Sequence, residues 1–175
     1  SRIGTYEGIT DQVEQEISVY LNVCATNELT LNSGLKVRSM LAVTSELERI
    51  GDVFYQMSLT YKRKSEEKIW FTPDQRESVK DMLELVDRAF NVMIENLNKP
   101  YENVTMAEAL EKEKKINKLR NKLRKRHLAT IEDDDYNIKS AAVYTDLIYS
   151  CERVGDHIVN VTEALIGQNI LGEED

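Results

Sequence analysis

Apolar residues recur at intervals of three and four along almost the whole chain, the spacing that places them on one face of an α-helix. Short polar or turn-forming segments interrupt this pattern four times. The charged segment 62–71 is predicted to be one of these connectors, and the acidic segment 132–135 another. The pattern predicts an all-α fold of five helices, over about 6–24, 33–61, 73–97, 106–128 and 138–166.

The third helix has the clearest predicted boundaries. Thr72 suits the N-cap, Pro73 the first helical position, and Gln75 completes a capping box. Asn98-Lys99-Pro100 then stops the helix after Leu97.

A five-residue motif occurs twice. The sequence ERIGD, from Glu48 to Asp52, returns as ERVGD from Glu152 to Asp156, 104 residues further along the chain. On a helix, residues four apart share one face and lie one turn from each other. Each copy therefore directs two carboxylates to one place, and the duplication indicates an internal repeat.

A glycine separates the two acids in each copy, Gly51 in the first and Gly155 in the second. Glycine costs a helix interior about 1 kcal/mol relative to alanine, so its presence there requires a reason. We expect another helix to approach closely at both positions.

The repeat extends to a second pair of helices. Glu7 and Asp11 lie four apart on the first helix, and Glu113 and Asn117 take the corresponding positions on the fourth, 106 residues later. The second copy has thus lost one acid.

This correspondence predicts two repeats, residues 1–71 with two helices and residues 72–175 with three. If each repeat has the helix order A-B-C, the first repeat lacks its A helix. The chain also starts at Ser1 without a methionine, so we expect a fragment of a longer protein. The first bundle should then leave an apolar groove, either exposed or filled by a neighbouring molecule.

Carboxylates gathered within a helical bundle repel each other and cannot all stay ionised without a cation. Such all-oxygen donor sets favour Mg, Ca, Mn or iron over structural zinc. The first predicted metal site consists of Glu7, Asp11, Glu48 and Asp52. The second, expected to be weaker, consists of Glu113, Asn117, Glu152 and Asp156.

Other interpretations of these features remain open. The acids could form solvated helix edges with surface ion pairs to Arg49 and Arg153, each worth less than about 1 kcal/mol. The chain would then be a metal-free helical interaction module. A di-metal carboxylate enzyme of the ferritin-like kind is disfavoured, because such bundles use Glu-x-x-His and this motif is absent.

Charge and hydropathy limit the partners. The net charge of −8 argues against generic binding to nucleic acid or to an anionic membrane. The basic stretch 112–127 is either a phosphate or headgroup patch or a solvated helix face. No apolar run of about 18 residues occurs, so no segment is predicted to span a membrane.

The duplicated ERIGD and ERVGD motif, continuing in the second copy as HIVNVTE over His157–Glu163, resembles the signature of the PhoU family. The resemblance covers nearly the whole chain except a first A helix. It implies two three-helix bundles whose Glu/Asp-x-x-x-Asp motifs hold metal ions or multinuclear clusters, here iron, manganese, magnesium or zinc. Asn117 departs from the acid that the family pattern expects, which puts a full second cluster in doubt.

The stretch Asn117–His127 is most similar to the PhoU-like cytoplasmic domain at the C-terminus of bacterial sodium/phosphate cotransporter-type membrane proteins. This resemblance implies a non-catalytic regulator of phosphate uptake. Its implied partner is a membrane phosphate transporter domain, the upstream part of the same chain, and a homo-oligomer is a further option. The implied location is cytoplasmic, tethered to the inner membrane.

Overall fold

The protein is described by a computed structural model covering residues 2–26, 28–129 and 137–167. Within these ranges the regular structure is helical throughout, which confirms the all-α fold class. A 3₁₀ turn at Tyr101–Asn103 joins the third and fourth helices. The helices are α1 (Arg2–Ala25), α2 (Leu31–Glu66), α3 (Pro73–Leu97), α4 (Met106–Ala129) and α5 (Ile138–Ile166).

The predicted boundaries of α3 and α5 agree with the structure. The capping box of α3 is present: the Gln75 backbone N–H donates to the Thr72 hydroxyl at 3.1 Å, and the Thr72 N–H donates to Oε1 of Gln75 at 3.0 Å. The start of α5 is capped by Asn137, whose side chain accepts from the Ser140 N–H at 3.0 Å.

The prediction that residues 62–71 form a connector is wrong for its first half, because α2 continues to Glu66. Charged residues with long side chains are good helix formers, and Arg63 and Lys64 in the last turn interact favourably with the helix dipole. At the other end, Thr30 caps α2 by accepting from the Ser33 N–H at 3.2 Å. The predicted acidic connector, 132–135, lies outside the described residues.

The core is centred on α5, which packs against α2, α3 and α4. Side chains from four helices meet there almost without solvent exposure, among them Val53, Met82, Ile116, Leu147 and Ile158. Helices α3, α4 and α5 pack pairwise as a three-helix bundle, while α1 packs on α2. The boundary between two repeats at residues 71 and 72 stays a prediction. In the described ranges, no helix is both long and apolar enough to cross a membrane.

Helix α1 differs from the others because its apolar stripe faces away from the protein. Ile9, Val13 and Tyr20 are 51%, 47% and 67% exposed, and Leu21 is its one buried residue in the described structure. The acids of α1 instead face α2. An apolar surface of α1 is therefore uncovered in the described structure, while the groove expected from a missing A helix stays a prediction.

Both repeat glycines lie where a second helix approaches closely, as expected. A Cβ on Gly51 would be 2.9 Å from Oγ1 of Thr10, and one on Gly155 would be 3.0 Å from Cδ1 of Ile116. Thr10 and Ile116 are themselves 106 residues apart, so the α1–α2 and α4–α5 contacts follow the same plan. A larger residue would require Thr10 to shift at the first contact and Ile116 to give way at the second.

This contact predicts opposite effects for two glycine substitutions. Gly8 has open space around its missing Cβ, so Gly8→Ala should raise the free energy of unfolding by about 0.5–1 kcal/mol through helix propensity. Gly51→Ala should lower it by about 1–3 kcal/mol, because the new methyl collides with Thr10. Urea denaturation followed by circular dichroism measures both changes. An equal gain from the two substitutions would contradict the close approach.

Candidate metal centre

Three carboxylates from two helices meet between α1 and α2. Glu7 and Asp11 on α1 and Asp52 on α2 each place one oxygen so that all three lie within 4.8 Å of one another. Oxygen ligands held at about 2.0–2.6 Å from one cation are themselves no more than about 5 Å apart. The donor set and its spacing therefore fit a hard divalent cation.

Glu48 is the fourth residue predicted for this site, and it lies beside the other three without joining their closest group. Its pKa is raised, first by desolvation and then by the negative charges of Asp52, Asp11 and Glu14. The structure thus brings three predicted ligands together and places the fourth in the same electrostatic environment.

The charge of this first cluster is not balanced by a basic side chain in the described part of the chain. None of the ion pairs there involves Glu7, Asp11, Glu48 or Asp52. Arg49, the proposed surface partner of the acids, instead pairs with Glu46 at 2.7 Å. Oδ1 of Asp11 is buried and has no hydrogen-bond partner, an arrangement that a bound cation would satisfy.

The second predicted cluster lies between α4 and α5 and is arranged differently. Arg120 forms an ion pair with Oε1 of Glu152, and both side chains are largely buried. The guanidinium also donates to Oδ1 of Asn117 at 3.4 Å, and the Asn117 amide donates to Oε1 of Glu113. An arginine of the chain therefore occupies the place where a second metal was expected.

In the second cluster, the positive charge of Arg120 only partly offsets the effect of burial on the pKa of the acids. Burial raises the pKa of Glu152, while the positive charge of Arg120 acts in the opposite direction. Burial also raises the pKa of Asp156, opposed by His157 and then Arg120. The three acids of this predicted set, Glu113, Glu152 and Asp156, do not gather into a group with metal-ligand spacing in the described structure. Metal binding that also involves Asn117 stays a prediction.

Arg120 is the site residue that sequence analysis missed, because it was counted as part of the basic stretch 112–127. Extending the alignment of the two repeats would have found it. At the offset of 106 that pairs Asp11 with Asn117, Arg120 corresponds to Glu14. The two differences make the second cluster less negative, with three acids and one arginine where the first repeat has five acids.

The histidines lie outside the first cluster. Nδ1 of His157 is 2.8 Å from Oε2 of Glu46, which also accepts from the Asn160 amide at 2.9 Å. His127 stacks against Tyr144 with ring centroids 5.8 Å apart. The donors around Glu7, Asp11 and Asp52 in the described structure are therefore carboxylates without imidazole.

Comparison with known proteins supplies a family for part of the chain. Residues 79–165 match the model of the PhoU domain. A phosphate-specific transport system accessory protein, PhoU homolog 1 of Thermotoga maritima, is 32% identical over 133 residues, which are 73% of this chain and 54% of that protein. The chain thus spans about half the length of this curated relative.

A solved structure extends the likeness of the fold. The phosphate transport system regulatory protein PhoU from Streptococcus pneumoniae superposes with a TM-score of 0.70 at 21% sequence identity, covering 98% of this chain and 78% of that one. Residues 79–165 therefore match the PhoU domain, on a fold that this chain shares with PhoU over nearly its whole length.

Proposed function

We propose that this chain is a non-catalytic regulatory domain of phosphate uptake that binds metal between α1 and α2. The observation that carries the proposal is the group of Glu7, Asp11 and Asp52, with Glu48 beside it and no basic side chain paired to it in the described structure. The names of its relatives, an accessory protein and a regulatory protein of phosphate transport, support the transport role.

The metal would be held by residues of both helices. Glu7 and Asp11 would supply oxygens from α1 and Asp52 from α2, with Glu48 adding negative charge that attracts a cation. Iron, manganese, magnesium or zinc is the proposed ion, and its positive charge would offset the repulsion among the acids. Such an ion would link two helices that otherwise share few buried apolar residues.

A regulatory role suits this donor set better than catalysis by a di-metal oxidase. Helical-bundle enzymes of that class combine inward glutamates with Glu-x-x-His on two helices. Here His157 pairs with Glu46 and the cluster itself consists of carboxylates. We therefore propose no reaction for this site.

The partner proposed for the domain is a membrane phosphate transporter of the sodium/phosphate cotransporter type, attached upstream in the same chain or separate from it. This arrangement places the domain in the cytoplasm at the inner membrane. The uncovered apolar stripe of α1, including Ile9, Val13 and Tyr20, also leaves room for contact with the transporter or with a second copy.

The proposed metal site predicts that neutralising one pair of acids weakens metal binding, whereas neutralising a matched pair elsewhere does not. Glu48→Gln with Asp52→Asn should weaken Mn²⁺ binding at least about tenfold, because half of the carboxylates are neutralised. The matched control is Glu77→Gln with Asp81→Asn, an exposed pair on α3 with the same spacing and charge change. Isothermal titration and elemental analysis after gel filtration measure binding in each protein.

Two outcomes would contradict this prediction. Equal weakening in the control pair would show that Mn²⁺ responds only to overall negative charge. Absence of Mn²⁺, Fe²⁺, Mg²⁺ and Zn²⁺ from the wild type, even after incubation with each ion, would leave a metal-free helical interaction module.

The transport role is tested in the source organism. Cells carrying Glu48→Gln and Asp52→Asn in the full-length protein should no longer reduce uptake of radiolabelled phosphate when phosphate is abundant, because the regulator cannot load metal. Cells with the Glu77→Gln and Asp81→Asn pair should respond as the wild type does. Unchanged regulation in the Glu48 and Asp52 variant, at normal protein levels, would argue against metal-dependent control.

A further inference from the structure

We propose that a different cation stabilises one helix pair in each repeat. In the first repeat it is a metal ion between α1 and α2, and in the second it is the Arg120 guanidinium between α4 and α5. Docking of α1 onto α2 then depends on metal, whereas docking of α4 onto α5 does not. The inference rests on the proposed metal site and assigns it a regulatory consequence.

Few apolar contacts hold α1 in place. Leu21 is the one residue of this 24-residue helix that is buried in the described structure, and α1 packs against α2 alone. Its apolar stripe, including Ile9, Val13 and Tyr20, faces away from that contact. Burial of apolar surface therefore does little to fix α1 on α2.

Electrostatics opposes the docked position of α1 in the absence of a cation. Glu7 and Asp11 are brought against Asp52, with one oxygen from each of the three acids within 4.8 Å of the others. Oδ1 of Asp11 is buried without a partner. The close approach of Gly51 to Thr10 keeps the two helices near each other at the position of these acids.

Helix α4 occupies the corresponding position in the second repeat, and both forces act in its favour. It buries Ala109, Ile116 and Leu123 and packs against α3 as well as α5. The Arg120 guanidinium pairs with Glu152 across the α4–α5 contact. This contact already contains its own cation.

Two substitutions between the repeats account for the difference. Asn117 stands where the first repeat has Asp11, which removes one negative charge. Arg120 stands where it has Glu14, which replaces a negative charge by a positive one. Together they reduce the surplus of negative charge, which attracts a divalent ion, and supply an arginine that pairs with Glu152, although Nε of Arg120 is buried without a hydrogen-bond partner.

Hydrogen–deuterium exchange of the full chain tests the inference. Amides of α1 should exchange at least about tenfold more slowly in Mn²⁺ than in EDTA, because docking protects them, while amides of α4 should exchange equally in both. In the Glu48→Gln and Asp52→Asn variant the effect of Mn²⁺ on α1 should disappear. The Glu77→Gln and Asp81→Asn control should retain it.

A second variant tests the role of the arginine directly. Asn117→Asp with Arg120→Glu gives the second repeat the charges of the first, so it should gain an Mn²⁺ site, and α4 should become protected by Mn²⁺. Circular dichroism checks that the variant remains helical. A folded variant that gains neither metal nor Mn²⁺-dependent protection of α4 would overturn the assignment of Arg120 as the internal cation.

The outcomes separate this inference from the proposed function. If Mn²⁺ binds in the wild type and is lost in the Glu48 and Asp52 variant, yet α1 exchanges equally with and without it, the inference is overturned and the metal site stands. If Mn²⁺ protects α1 and α4 alike, the asymmetry is overturned. If titration shows no metal bound to the wild type, the metal site and the inference fail together.

Discussion

Close contact between helices that carry like charges is the constraint on which this structure depends. Gly51 and Gly155 allow a neighbouring helix to approach within van der Waals distance, and the flanking acids are carried along with it. A larger residue would require Thr10 at the first contact, or Ile116 at the second, to shift. Because these contacts are close, a positive charge near the acids would stabilise either copy of the repeat.

The two copies differ in whether the chain itself supplies that charge, although their glycine contacts follow the same plan. In the second, Arg120 supplies the charge from within the chain, and the surrounding helices share the core centred on α5. In the first, no basic side chain among the described residues pairs with the acids, and α1 lies outside that core. Duplication of a motif therefore preserved the geometry while its electrostatics diverged.

The sequence predicted the fold closely and the site in part. Helical periodicity and the cap at Thr72 are local signals, so the boundaries of α3 could be predicted, and periodicity alone predicted those of α5. The motif spacing identified Asp11 and Asp52 because helix geometry fixes which residues share a face. The role of Arg120 could not be predicted from that spacing, because which basic residue reaches an acid on another helix depends on tertiary packing. Periodicity likewise identifies an apolar face without naming its neighbour, so the residues that form the exposed surface of α1, such as Ile9 and Val13, could be found only from the structure.

The exposed stripe of α1 has a consequence for how this surface tolerates amino-acid change. Ile9, Val13 and Tyr20 contribute little to the described core, so hydrophilic residues there would leave the fold intact and improve solubility. Exposed apolar side chains lower the solubility of an isolated domain in water. They are favourable only where another molecule or segment covers the stripe. Selection on these positions would therefore report on the partner rather than on folding.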